Sequence, residues 1–443
     1  MSEVTRVESW TKKKLGEVKG NLLIGEGATI QGEGIPPKVK VEGSVVCKGD
    51  CTFLCTLEAM KLDVERGDIK VDGDLIIRTS VRVKRGSLFV KGKAKANFFE
   101  VDKKFIVSRS LQGGEVMVGG TLKVEGEVEA ETIDVGGFFS VVGMLKADRV
   151  GVGGSFSAED RVEIEELDVG GKAIVGSGKI IDIDVGGSFE AKGPLTFESL
   201  DVGGAAKLGG SSEGGEIEVG GSFKTEDGLK FEKIDVGGLV SIKGDAEGGD
   251  IDVGGVLRVS GSLKFEKLDV GGKVRIDGRA EGKEVDIGGT IEVRNDLFLE
   301  GELDVGGTCK VEGVLRAESV EVGGGIEADL IEAEDQVKAG GYIRTSRGTK
   351  ARQVRIGRRG EIRGPVLAEE VLIEERARVE DVYADEIVME ERSRAKSLHA
   401  KRIYLERGSR VLGEVEYVDL LEKEEGVETG SERKVDEIKK PDV

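Results

Sequence analysis

Between residues 119 and 341 the chain repeats one short pattern, apolar, polar, apolar, then two glycines. Leu167-Asp168-Val169 and Ile234-Asp235-Val236 are typical, and each ends at Gly-Gly. Alternation with a period of two predicts half-buried strands, with Leu, Ile and Val inward and Asp outward. The first glycine of each pair falls at Gly119, Gly136, Gly153, Gly170, Gly186, Gly203, Gly220, Gly237, Gly254, Gly271, Gly288, Gly306, Gly323 and Gly340. These steps are 17 residues apart from one of 16 and one of 18. Such a repeat is too short for a βαβ unit and long enough for one coil of two or three strands. The predicted fold is all-β, a single-stranded parallel β-helix (β-solenoid) with about 17 residues per coil. The glycine pairs are expected to supply positive φ at a sharp corner.

A second period of 34 residues is superimposed between about 187 and 305, where bulky and small repeats alternate. Phe197, Phe231 and Phe265 fall in register with Gly214, Gly248 and Gly282. A phenyl ring is too thick for every layer of a narrow coil, so the small residues are expected to make room for it inside the core.

Beyond the glycine pairs the strand pattern persists. Val354-Arg-Ile, Val371-Leu-Ile, Ile387-Val-Met and Ile403-Tyr-Leu recur at 17, 16 and 16 residues. Upstream, VKVEGSVVCKG, IKVDGDLIIR and VMVGGTLKVEG read as strands between glycine turns. The expected organisation is a flexible basic leader (1–19), an irregular solenoid region (20–118), a regular shaft (119–341), a C-terminal solenoid (342–417) and a disordered charged tail (418–443). At one coil per interstrand step this makes some 23 coils, on the order of 110 Å.

Composition sharpens this picture. Glycine supplies 70 of 443 residues and proline 5, which excludes collagen and proline-rich disorder. No run of eighteen apolar residues and no apolar leader occurs, so a cytoplasmic protein is expected. Asn and Gln are scarce while Glu, Lys and Arg abound, a bias that suggests a thermophilic source. The net charge of −20 is uneven: +5 for residues 1–120, −24 for 121–340, +3 for 341–417 and −4 for the remainder. Residues 342–363 concentrate Arg344, Arg347, Lys350, Arg352, Arg355, Arg358, Arg359 and Arg363 against Glu361 alone. This basic patch suits an electrostatic contact, or else a collar offset by Glu369, Glu370, Glu374 and Glu375. The shaft stacks Asp134, Asp168, Asp184, Asp201, Glu218, Asp235, Asp252 and Asp269 as an outward acidic ladder. Its 17-residue step does not match the nine-residue calcium β-roll, so solubilising residues are the expectation.

Catalytic chemistry finds no footing. His399 is the only histidine, which excludes a three-histidine zinc site and any Ser-His or Cys-His pair built elsewhere. Cys47, Cys51, Cys55 and Cys309 lack paired spacing and read as buried thiols. Ile356-Gly357 resembles one start of a left-handed hexapeptide coil, but six-residue periodicity is not sustained. The near-constant repeat leaves no insertion to wall a pocket. No catalytic, cofactor-binding or metal-ligating residue, no cofactor, no small-molecule substrate and no nucleic-acid partner is expected.

Residues 354–417, VRIGRRGEIRGPVLAEEVLIEERARVEDVYADEIVMEERSRAKSLHAKRIYLERGSRVLGEVEY, resemble the bactofilins, a family of polymer-forming cytoskeletal proteins. That resemblance implies a right-handed β-helix that stacks end to end without nucleotide and serves as a cytoplasmic scaffold, membrane-associated in some members through a short N-terminal segment. Trp10 with Lys12, Lys13 and Lys14 would suit a weak membrane contact, but a basic disordered leader is the leading expectation for them. A solenoid also exposes two open coils that must be capped or paired. Leu22, Leu23 and Ile24 at one end, and Ile403, Tyr404, Leu405, Val411, Leu412, Val415 and Tyr417 at the other, are the candidates for such self-assembly contacts. The leading expectation is a non-enzymatic, self-assembling filament or scaffold protein. The alternative is a monomeric binding rod that presents a repetitive acidic surface to a protein or cation.

Overall fold

The computed structural model describes residues 3–441, which are built of parallel strands without a helix. It is a β-solenoid of about 25 turns with about 17 residues per turn, and it divides into two compact units, Met1–Gly220 and Gly221–Val443. Within each unit a coil carries three short strands. In the second unit Lys233–Val236, Leu239–Ile242 and Ala246–Glu247 form one coil. It stacks in parallel on Asp250–Val253, Val256–Val259 and Leu263–Lys264. The register places Ile234 on Ile251 and Val236 on Val253 inside, with Asp235 on Asp252 outside. The expected alternation therefore becomes stacked columns, apolar inward and polar outward.

The bulky and small layers pack as expected. Phe197, Phe231 and Phe265 are buried. A side chain begun at Gly214 would stand 2.3 Å from the Phe197 ring, and one at Gly282 would stand 2.2 Å from the Phe265 ring. The ring of one coil occupies the volume its neighbour leaves empty.

The reason for the glycine pairs differs from the expectation. No glycine of the Val-Gly-Gly corners has positive φ among the described residues. Their constraint is close stacking. A Cβ at Gly136 would lie 2.3 Å from the carbonyl oxygen of Gly119, and one at Gly254 would lie 2.5 Å from that of Gly237. The backbone ladder runs straight through the corner, with the Gly136 amide donating to the Val118 carbonyl at 2.9 Å. A side chain there would displace the backbone of the adjacent coil.

Both ends hold more structure than the sequence suggested. The expected leader is instead the first coil, with strands Val4–Val7, Lys12–Leu15 and Glu17–Val18. These pair with Asn21–Ile24, Ala28–Gly32 and Lys38–Val41. The expected tail begins inside the strand Arg410–Lys423 and adds Glu428–Lys434 as a further layer. Residues 1, 2, 442 and 443 of these two segments lie outside the described residues. The irregularity of region 20–118 has a local source: residues 33–38 leave the coil as an excursion closed by an antiparallel Glu33–Lys38 bridge, with Ile35 fully exposed.

Candidate functional site

Two surfaces follow from this stacking, the outward face of the strand that precedes each corner and the outer coils of the chain. On the face, every coil contributes one residue to a column. In the first unit Asp168, Asp184, Asp201 and Glu218 stand in consecutive register. In the second, Asp235, Asp252, Asp269, Asp286, Asp304 and Glu321 do the same. Like charges one interstrand step apart, about 4.8 Å, repel. Partial burial, with the repulsion of Asp168 and Asp201, pushes the Asp184 carboxyl above its ordinary value. Burial, then Asp269 and Asp235, does the same at Asp252, against the pull of Lys233 and Lys267.

The column then changes character. Glu321 is followed in register by Lys338 and Arg355, and these by Leu372, Val388 and Tyr404. A shallow groove of about 450 Å³ runs over this transition, lined by Gln336, Lys338, Gln353, Arg355 and Leu372 among others.

The basic patch does not stand free. Arg344 pairs with Glu327 at 3.0 Å, Arg347 with Asp329 at 3.7 Å, Arg355 with Glu374 at 2.6 Å and Arg363 with Glu361 at 3.2 Å. Arg352 pairs with Asp335, whose hydrogen bond raises the guanidinium above its ordinary range. Of the four carboxylates expected to offset the patch, only Glu374 makes such a pair with it. Glu327, Asp329 and Asp335 come from the preceding coil, one turn away in space, and Glu361 from the same strand as Arg363. Lys350 and the side chains of Arg358 and Arg359 make no ion pair among the described residues.

The assembly candidates are mostly interior. Leu22, Ile24, Ile403, Leu405, Val411 and Val415 are buried because a coil covers them on each side. Leu23, Tyr404 and Tyr417 are half-buried, and only Leu412 is exposed, at 75%. The outermost coils mix polar and apolar residues in the inward columns, with Val7 on Ile24 and Val18 on Val41 at one end and Leu421 on Ile403 at the other. At the C-terminal end Thr429 succeeds Val411, Glu432 succeeds Val415 and Lys423 succeeds Leu405. Lys423 Nζ reaches Glu432 at 2.6 Å, and the Thr429 hydroxyl also donates to that carboxylate. These two hydrogen bonds, Lys423 first, hold the Glu432 carboxyl below its ordinary range. At the N-terminal end Thr5 registers with Leu22 and Lys13 with Ile30, and Lys13 Nζ donates to the Arg6 carbonyl at 3.3 Å. Each end thus carries a partly polar lid over its core, in the manner of the capping repeats of solenoids. Lys423, Thr429 and Glu432 escaped notice in the sequence, and Lys13 was noticed only as part of a basic segment; their shared signal is a polar residue at an inward position of the repeat.

The remaining chemistry is structural. The His399 ring stacks on Tyr383 with centroids 4.5 Å apart, and its Nδ1 lies 3.0 Å from Glu416. Glu416 in turn holds Arg433 of the last strand at 3.2 Å. All four cysteines are buried free thiols. Burial pushes Cys309 up to about 12, and burial with Asp72 pushes Cys55 up to about 11. Cys47 is raised by its hydrogen bond to Cys51 and by burial. Thiols held protonated in this way are poor nucleophiles and ligands. No family model, curated protein or solved structure matches this chain, so the bactofilin resemblance stands at the level of the β-solenoid fold.

Proposed function

We propose that this protein is a non-enzymatic scaffold that works through the side of its solenoid, presenting the carboxylate column to cationic partners. The observation that carries this reading is the pairing of a stacked, outward ladder with two partly polar lids. The ladder accepts self-repulsion that alternating charges would remove, and the lids replace part of the apolar surface on which end-to-end stacking would depend. Assembly into filaments is the second reading. It is supported by the strands Val4–Val7 and Glu428–Lys434, which pair on one side only among the described residues.

Negative-stain microscopy and sedimentation at low and high salt distinguish the two. Discrete particles in both salts, with salt-sensitive binding of polylysine, are expected. Filaments that persist at high salt would overturn the side-face reading. The double variant Lys423→Leu with Glu432→Leu sharpens the test, because removing the C-terminal lid should create salt-resistant association in a chain that otherwise lacks it.

A further inference from the structure

We propose that the outward face between Arg355 and Glu422 pairs with the same face of a second copy of this chain, the two stretches of solenoid running antiparallel. The column that carries carboxylates along the shaft here reads Arg355, Leu372, Val388, Tyr404 and Glu422, each in register with the next. Leu372, Val388 and Tyr404 are only half-buried. Three successive coils therefore offer solvent apolar side chains at the position where the shaft offers Asp and Glu, the mark of a contact surface. The groove of about 450 Å³ reaches this stripe at Leu372 and Val388. Beside it on the same strands runs a second outward column, Gln353, Glu370, Glu386, Arg402 and Leu420.

These two columns complement themselves in one orientation. A two-fold axis lying along the strand at Val388 keeps strand direction and reverses the order of coils. Val388 then meets its own copy, Leu372 meets the partner's Tyr404, and Arg355 meets the partner's Glu422. In the second column Glu370 meets the partner's Arg402 and Gln353 meets the partner's Leu420. Glu386 meets its own copy on the axis, each carboxylate held by Arg402 at 2.6 Å. A two-fold axis along the solenoid would instead set Arg355 on Arg355 and Glu422 on Glu422, which like-charge repulsion opposes.

The charges that would meet are available. Glu422 and Glu370 make no ion pair among the described residues, and Glu370 accepts the Gln353 side-chain amide at 2.9 Å. Arg355 and Arg402 already hold Glu374 and Glu386, yet their side chains are 52% and 47% exposed, and a guanidinium has donors for a second carboxylate. The face stops at Glu422, because the last strand, Glu428–Lys434, pairs only with the Arg410–Tyr417 part of the strand below it. The overlap is thus five coils deep and one four-residue strand wide, about 24 by 13 Å. That is small for a specific interface, so a weak dimer in the micromolar range is expected. The pairing leaves the shaft carboxylates uncovered, and it and the side-face reading can fail separately.

Sedimentation velocity of the full chain at low salt, from about 1 to 100 µM, should show monomer passing into dimer. At about 0.5 M salt the dimer should dissociate, because the apolar stripe is short and the charge pairs decide both affinity and register. Val388→Lys sets two ammonium groups against each other on the axis and should abolish the dimer. Glu422→Arg should weaken it about tenfold or more, and adding Arg355→Glu in the same chain should restore it. Leu412→Ser, which removes an exposed apolar residue outside both columns, should leave it unchanged. Circular dichroism and thermal melting check that these variants fold. A chain that stays monomeric throughout, or a dimer that survives Val388→Lys or is lost with Leu412→Ser, would overturn the interface. An indifferent Glu422→Arg, or a folded double variant that stays monomeric, would overturn the antiparallel pairing.

Discussion

The corners between Gly119 and Gly341 and the corners after Gly357 turn the same solenoid with different chemistry. At the Val-Gly-Gly corners of the first set glycines stack so closely that a Cβ would strike the carbonyl of the adjacent coil, and none has positive φ, although Gly178 and Gly244 elsewhere in these coils do. In the second, Arg359, Arg376 and Arg392 adopt φ near 60°, followed in the same role by Gly408 and Gly426. A carboxylate one coil further on clamps the first four of these turns: Glu374, Glu390, Glu406 and Glu424 accept the amides of Arg358, Glu375, Glu391 and Arg407 at 3.0 to 3.1 Å. The N-terminal coils use left-handed corners too, at Trp10, Gly27, Gly67 and Arg85. Glycine thus has two meanings in one chain, absence of a side chain at the Val-Gly-Gly corners and freedom of φ at left-handed turns such as Gly67, Gly244 and Gly408. The middle corners make a bare edge, while the outer corners tolerate side chains and hold them by hydrogen bonds.

The comparison breaks most directly by adding one methyl group. Gly254→Ala sets a Cβ against a backbone oxygen at 2.5 Å that cannot swing aside, so a loss of about 3 kcal/mol is expected in denaturant titration. At Gly408 the nearest atom is Arg392 Cγ at 3.5 Å, and only φ of 69° opposes the change. Gly408→Ala should cost about 1 kcal/mol. Equal costs at the two sites would show that one constraint governs both kinds of corner.

Inside the middle coils the layer alternation predicts coupling. Gly282→Ala places a Cβ 2.2 Å from the Phe265 ring, for a cost of about 2 kcal/mol. Phe265→Leu alone should cost about 1 kcal/mol through lost burial. The double variant should recover about 1 kcal/mol relative to the sum. Strict additivity would mean that the ring and the glycine do not share one volume.

In the outer coils the clamp can be removed without touching packing. Glu390→Ala deletes the acceptor of the Glu375 amide, a contact of 3.0 Å, and should cost about 1 kcal/mol in thermal or chemical melts. No change would mean that water replaces the carboxylate and that the left-handed corner is held by the strand ladders alone.

The fold was legible because its register is written in the sequence: Leu-Asp-Val followed by Gly-Gly fixes which residues face inward and how far away the next coil lies. The corners were misread because a glycine pair after a strand looks the same whether φ or proximity demands it, and proximity exists only once coils stack. The first and last coils were missed because Lys13 and Glu432 occupy inward positions and so erase the alternation that marks a strand. The basic patch looked unopposed for a related reason. Arg344 meets Glu327 and Arg352 meets Asp335, 17 residues apart in each case, so the neutralising charge is a neighbour in space and distant along the chain.

The smallest expected effect separates the shaft from its lid by sign. In the ladder, the folded state raises the Asp252 carboxyl through burial and the charges of Asp269 and Asp235. A raised carboxyl favours the native state below its unfolded value, and that contribution is lost as pH rises through the folded value. Asp252→Asn should therefore raise the melting temperature slightly at about pH 7 and lose that advantage at about pH 3. Glu432 is the opposite case, lowered by Lys423 and Thr429. Its contribution is present above the ordinary glutamate value and disappears as pH falls through the folded one, so Glu432→Gln should lower the melting temperature at about pH 7 and become neutral in acid. Melting curves of both variants across this range, each against the parent chain, make the comparison. Shifts of the same sign at neutral pH would mean that the ladder carboxylates are held by partners as Glu432 is, and would remove the electrostatic cost on which the side-face reading depends.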